Sequence, residues 1–173
     1  MSMTAVWLAV QGLPAETFLE RLELIDLGEP DEFCDAEVSA AHYPDGWFVV
    51  LASDIGLFDA GKLNVWSEGA RIVAAFSDED TLFSLATEWR DGRALWSISH
   101  EVSEDEPVIS IEGQMPEAFE PVRREYLEKL DGATPAELAF EAPLEVAFRI
   151  TGFRADTVGF IEDGPAFTIL EAE

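Results

Sequence analysis

Asp91-Gly92 restricts what this chain can fold into more tightly than any other feature of its sequence. Two-residue hairpin loops favour type I′ turns, in which both central residues adopt positive φ, and Asp-Gly meets that demand. Apolar-rich runs flank it on both sides. With a two-residue loop, Arg90 faces Arg93 and Trp89 faces Ala94. Continuing outward, Phe83, Leu85, Thr87 and Trp89 share a face with Ala94, Trp96, Ile98 and His100. The opposite face then carries Ser84, Ala86, Glu88 and Arg90 with Arg93, Leu95, Ser97, Ser99 and Glu101. Side chains alternate along a strand, so the expectation is one core face and one largely wet face.

The remaining elements follow from similar punctuation. Ala5 to Val10 reads as a strand. Pro14 suits a first helical turn, and Phe18, Leu19, Leu22 and Ile25 make an apolar stripe at helical spacing that ends near Gly28. Val38 to Tyr43 and Trp47 to Ser53 flank the turn signal Pro44-Asp45-Gly46 and predict a second hairpin, with His42 opposite Val49. Its second strand is apolar on both faces, the mark of a central strand. Val108 to Glu112 is a further strand. Pro116 opens a helix through Phe119, Val122, Tyr126, Leu127 and Leu130, with Glu120–Arg124 and Glu125–Lys129 as i,i+4 pairs. A helix after Pro143 runs through Ile150 and stops at Gly152. Phe167 to Leu170 is a last strand. The sum is one α+β domain over residues 1–173, an antiparallel or mixed sheet with three to four helices.

Charge narrows the function classes. Against 36 acidic residues stand 10 basic ones, a net charge of −26. Such a field repels phosphates and anionic lipid, so neither nucleic acid nor a membrane is an expected partner. The apolar stretch near the N-terminus is too short to span a bilayer and has no basic flank. Cys34 is the only cysteine, which rules out an intramolecular disulfide and fits a reducing compartment. The expected location is cytoplasmic.

Motifs for chemistry fail on inspection. Gly56-Leu57-Phe58-Asp59-Ala60-Gly61-Lys62-Leu63 spells a phosphate-binding loop until Leu63, where a Ser or Thr hydroxyl must hold magnesium. It reads instead as a turn into a short helix ending near Gly69. Trp66-Ser67-Glu68-Gly69 lacks the first glycine of a nucleophile elbow, so Ser67 caps or turns the chain. His42 and His100 are the only histidines, and no short His/Cys spacing supports a metal site. Asp78-Glu79-Asp80 and Glu104-Asp105-Glu106 lack the spaced oxygens and central glycine of a calcium loop. No cofactor or metal is expected.

Several of these segments resemble an uncharacterised family of bacterial cytosolic proteins. The resemblance rests on Asp45-Gly46-Trp47-Phe48-Val49-Val50, Ser84 through Gly92, Leu95-Trp96-Ser97-Ile98-Ser99-His100, Pro143-Leu144-Glu145-Val146-Ala147 and Ile150-Thr151-Gly152-Phe153. It implies a bacterial, stand-alone cytosolic domain and carries over no functional residue. The leading expectation is a non-enzymatic binding protein whose acidic surface engages a basic protein, for instance an immunity protein that neutralises a toxin. A mimic of nucleic-acid charge is another form of that reading, and solubility or adaptation to a salty or GC-rich background is the plainer account of the acidity. The rival is a small enzyme in which His100 with Glu101, or His42 with Asp45, does acid–base work.

Overall fold

In a computed structural model, the chain is described over residues 4–32, 36–53, 59–127, 135–155 and 166–173. Nine strands form one sheet in the order β2-β9-β3-β4-β1-β5-β6-β7-β8, and every neighbouring pair is antiparallel. The strands are β1 (Thr4–Gln11), β2 (Leu24–Pro30), β3 (Val38–His42), β4 (Phe48–Ala52), β5 (Arg71–Asp78), β6 (Phe83–Arg90), β7 (Arg93–Ser103), β8 (Glu106–Gly113) and β9 (Thr168–Ala172). Among the described residues the helices are α1 (Ala15–Leu22), α2 (Ala60–Trp66), α3 (Phe119–Val122) and α4 (Pro135–Thr151). The fold is α+β and dominated by its sheet, and no described helix is long and apolar enough to cross a membrane.

The sheet is covered on both sides, which explains why β1, β4 and β5 are apolar without a break. Trp7 and Ala9, with Val49, Val73 and Ala75, face a core closed by α3 and α4. Leu8 and Val10, with Phe48, Val50, Ile72 and Ala74, face a second core with Phe18 and Leu19 of α1 and Leu63 and Trp66 of α2. The central position expected for the Trp47–Leu51 strand is what the pairing of β4 with both β1 and β3 shows.

The Asp91-Gly92 turn forms as its sequence requires, with φ of 50° and 81°. Arg90 faces Arg93 and Trp89 faces Ala94, but beyond that point the register moves by one residue, and Glu88 lies opposite Trp96. Leu95 is the extra residue of a β-bulge. Its carbonyl accepts a hydrogen bond from the Gln114 amide at 3.1 Å. Gly113, at φ +82°, lies against it so closely that a Cβ there would overlap the Leu95 carbonyl oxygen and sit 2.9 Å from the Trp96 Cα.

The bulge reverses the expected face of β6. Ser84, Ala86 and Glu88 share the buried face with Trp96, Ile98 and His100, while Phe83, Leu85 and Trp89 lie half-buried on the other side. Small side chains are needed under α4, which presses Phe140 and Ala142 onto this part of the sheet. The Ser84 hydroxyl donates to the Phe140 carbonyl at 2.8 Å. His100 therefore stands opposite Ser84, not Phe83.

Four further expectations change. The first helix ends at Leu22, because Glu23 turns left-handed (φ 59°); Ile25 and Gly28 belong to β2, which pairs with β9. The last helix begins at Pro135 rather than after Pro143, and Pro143 lies inside it; Gly152 (φ +79°) ends it as expected. The helix at Phe119 passes into a π-helical segment over residues 123–127, which brings Arg123 rather than Arg124 to Glu120, and Glu125 to Arg149. Lys129 and Leu130 lie outside the described residues, as does Cys34. His42 is opposite Phe48, one residue from the expected Val49.

Candidate functional site

The two histidines are far apart. Five strand steps separate β3 from β7, about 24 Å at a spacing of about 4.8 Å. His100 is fully buried, and its Nδ1–H donates to the Leu82 carbonyl at 2.7 Å. Burial lowers its pKa from the usual imidazole value; the hydrogen bond to Leu82 and the charge of Glu101 oppose that effect. Its Nε2 has no hydrogen-bond partner among the described residues. Glu101 is the next residue on the strand, so its side chain points to the other face, and it is exposed. His42 is also exposed, tilted against the Phe48 ring at 4.9 Å, with no hydrogen bond to Asp45 among the described residues. Among the described residues neither histidine has the oriented carboxylate that acid–base work needs.

Asp59 caps α2, its carboxylate accepting the Gly61 amide at 2.9 Å, so it occupies a donor that a phosphate would use. Residues 56–58 of that motif lie outside the described residues. Ser67 is buried at the end of α2 and its Oγ accepts the Gly92 amide at 3.0 Å, fastening the helix to the hairpin tip. Among the described residues no group of three or more His, Cys, Asp or Glu side chains is placed to hold a metal. A cavity of about 30 Å³ beneath α4, bounded by Trp7, Phe140 and Leu144, has room for water but not for a metabolite.

Charge, in contrast, is sorted by the topology. The β5–β6 and β7–β8 turns emerge at the same end of the antiparallel meander, two strand spacings or about 10 Å apart. That end gathers Asp78 to Asp80, Glu101 and Glu104 to Glu106, exposed except for the half-buried Asp78. No Lys or Arg interrupts residues 72–89 or 94–122. Val102 and Val108 lie among these acids at 38% and 37% exposure. Arg154, which lines the small cavity beside Glu79, is held by Glu141 and by Glu145 at 2.6 and 3.0 Å.

The other end of the meander is built from arginine. Arg71, Arg90 and Arg93 are direct cross-strand neighbours on β5, β6 and β7. Glu88, only 3% exposed, accepts from Arg71 Nε at 2.9 Å and Nη2 at 3.2 Å, from Arg90 Nη2 at 3.2 Å and from Trp96 Nε1 at 3.2 Å. The Arg71 guanidinium also lies 5.0 Å from the Trp47 ring centroid, a cation–π distance.

No family model, curated protein or solved structure matches this chain. Its function is read from the geometry alone. Sequence reasoning found both acidic turns but not that they share an end. It missed Arg71 and Glu88, whose partners come from three strands. The one signal available was Arg90 facing Arg93, two like charges abreast, with Glu88 two residues along on the same face of the predicted hairpin.

Proposed function

We propose that this protein is a non-enzymatic binding protein whose acidic surface engages a basic protein, with an immunity-type inhibitor of a toxin as its concrete form. The observation that carries the reading is the convergence of the two acidic turns on one end of the sheet, with Val102 exposed among them on one face and Val108 on the other. Protein interfaces combine an apolar centre with a polar rim, and complementary charge steers the encounter. A carboxylate-rich tip with an exposed valine on each face fits a partner presenting Lys or Arg beside a small apolar spot. The edge strand β8 starts at this tip and offers Ile111, 45% exposed, further along as additional apolar surface.

Capture from a lysate of the native host tests the proposal. The expected result is a basic protein retained at low salt and released at high salt, since exposed charges are screened over about 8 Å at physiological ionic strength. Neutralising Glu79, Asp80, Glu104 and Asp105 together (E79Q, D80N, E104Q, D105N) should abolish capture while leaving the circular dichroism spectrum unchanged. A lysate without a salt-sensitive partner, or capture that survives the quadruple substitution, refutes this surface as the binding site.

A further inference from the structure

We propose that the arginine end of the sheet is a second site, one that binds a small oxyanion, a carboxylate or phosphate group, through Arg71, Arg90 and Arg93. The inference is independent of the acidic surface at the opposite end. Like charges placed directly opposite on neighbouring strands are destabilising. Here three arginines are direct cross-strand neighbours, in a chain with only ten basic residues. Glu88 offsets one of them. Its four hydrogen bonds exhaust what two carboxylate oxygens readily accept, so it cannot serve Arg93 as well.

Donors remain on the open side. Among the described residues, Arg71 Nη1, Arg90 Nε and Nη1, and the Arg93 guanidinium have no hydrogen-bond partner. Arg90 is about half exposed, at 51% of its side chain, and Arg93 is exposed. A groove of about 360 Å³ opens beside Arg71 and Arg90, bounded also by Gln11, Gly12, Gly69 and Asp91, with Arg93 next to Arg90 outside it. Two negative groups lie close. Asp91 is already engaged, its Oδ1 accepting the Gly69 amide at 2.9 Å, and Glu68 is exposed beside it. Buried Glu88 anchors Arg71 and Arg90, and Arg71 also packs over the Trp47 ring; donors fixed in advance lose less freedom on binding. Planar guanidinium groups match the paired oxygens of carboxylate and phosphate alike.

The net charge of −26 gives the site an unusual salt response. Long-range repulsion of an anion is screened by salt, while contact hydrogen bonds are screened less. Binding should therefore strengthen when ionic strength first rises with an inert salt.

The test is a titration of the ¹⁵N-labelled full chain with sodium phosphate and, separately, with sodium malonate at fixed ionic strength, following arginine Nε–Hε and backbone resonances. The expected result is a saturable shift at Arg90, Arg93 and their strand neighbours, with Kd on the order of 1 mM. In the variant R90Q/R93Q it should weaken by roughly tenfold or more, the loss of charge-assisted bonds. Both positions are exposed and leave the Arg71–Glu88 pair intact, so folding is retained. A response to only one of the two anions still supports the site and identifies the group it takes. No saturable shift, or one that persists unchanged in R90Q/R93Q, overturns the proposal.

Discussion

Replacing Gly113 with alanine should be among the most damaging methyl additions available in this sheet. Two costs combine. Gly113 has φ +82°, and an L side chain held in left-handed backbone loses about 1–2 kcal/mol. The added Cβ also overlaps the Leu95 carbonyl oxygen and approaches the Trp96 Cα, both backbone-linked atoms that cannot rotate away. Overpacking of this kind costs about 1–3 kcal/mol. The sum is about 2–5 kcal/mol, which for a chain of 173 residues corresponds to a fall in Tm of roughly 4–20 °C. Gly28→Ala is the control, because Gly28 also has positive φ (+71°) but nothing within 4 Å of the position a Cβ would take. It should show the backbone cost alone. Urea unfolding followed by tryptophan fluorescence gives both values on one scale. If Gly113→Ala costs no more than Gly28→Ala, the close approach at the Leu95 bulge is not a constraint, and the reasoning that ties the register of β6, β7 and β8 to that glycine is wrong.

Two other perturbations probe the face under α4. Ser84→Ala removes the hydroxyl that serves the Phe140 carbonyl and should destabilise by about 1–3 kcal/mol in the same assay, the cost of a buried group left without its partner. His100 is held neutral by burial with its pKa lowered, so the unfolded chain binds the proton more readily than the folded one. The stability this gives is complete above the unfolded pKa near 6.5 and is lost as pH falls through the folded value. The wild type should therefore lose stability below about pH 6.5 faster than His100→Gln does, and parallel pH profiles for the two proteins would count against the assignment.

Much of the architecture was legible because it depends on local chemistry. Asp91-Gly92 specified its turn, and Gly152 ended α4 as a left-handed cap should. The unbroken apolar stretch from Val6 to Val10 belongs to a strand covered on both sides. Hydrophobicity misled where space was the deciding quantity. On β6 the larger residues Phe83, Leu85 and Trp89 look like the core, yet α4 lies too close to admit them and takes Ser84 and Ala86 instead. The bulge at Leu95 has no local mark; its causes, Gly113 on β8 and the Gln114 amide, lie in the neighbouring strand and its continuation. Ile25 continued the helical spacing of α1 by coincidence, and only the left-handed Glu23 reveals the break. For the candidate sites, composition disclosed the acids but not their sorting, since antiparallel connection alone decides that residues near 79 and 105 meet at one end while Arg71 and Arg93 meet at the other.

The placement of β9 gives the sheet an order of assembly. Strands β5 to β8 are joined by short turns and pair with their neighbours in sequence, and contacts of that kind form early because little chain must be closed. Among the described residues strand β2 pairs only with β9, whose residues come more than 130 positions later. During synthesis β2 must wait for that partner until β9 has emerged, so this edge is completed after the β5–β8 meander has formed. Pulse-labelled hydrogen exchange during refolding should accordingly find the amides of Arg71 to Glu112 protected before those of Leu24 to Pro30.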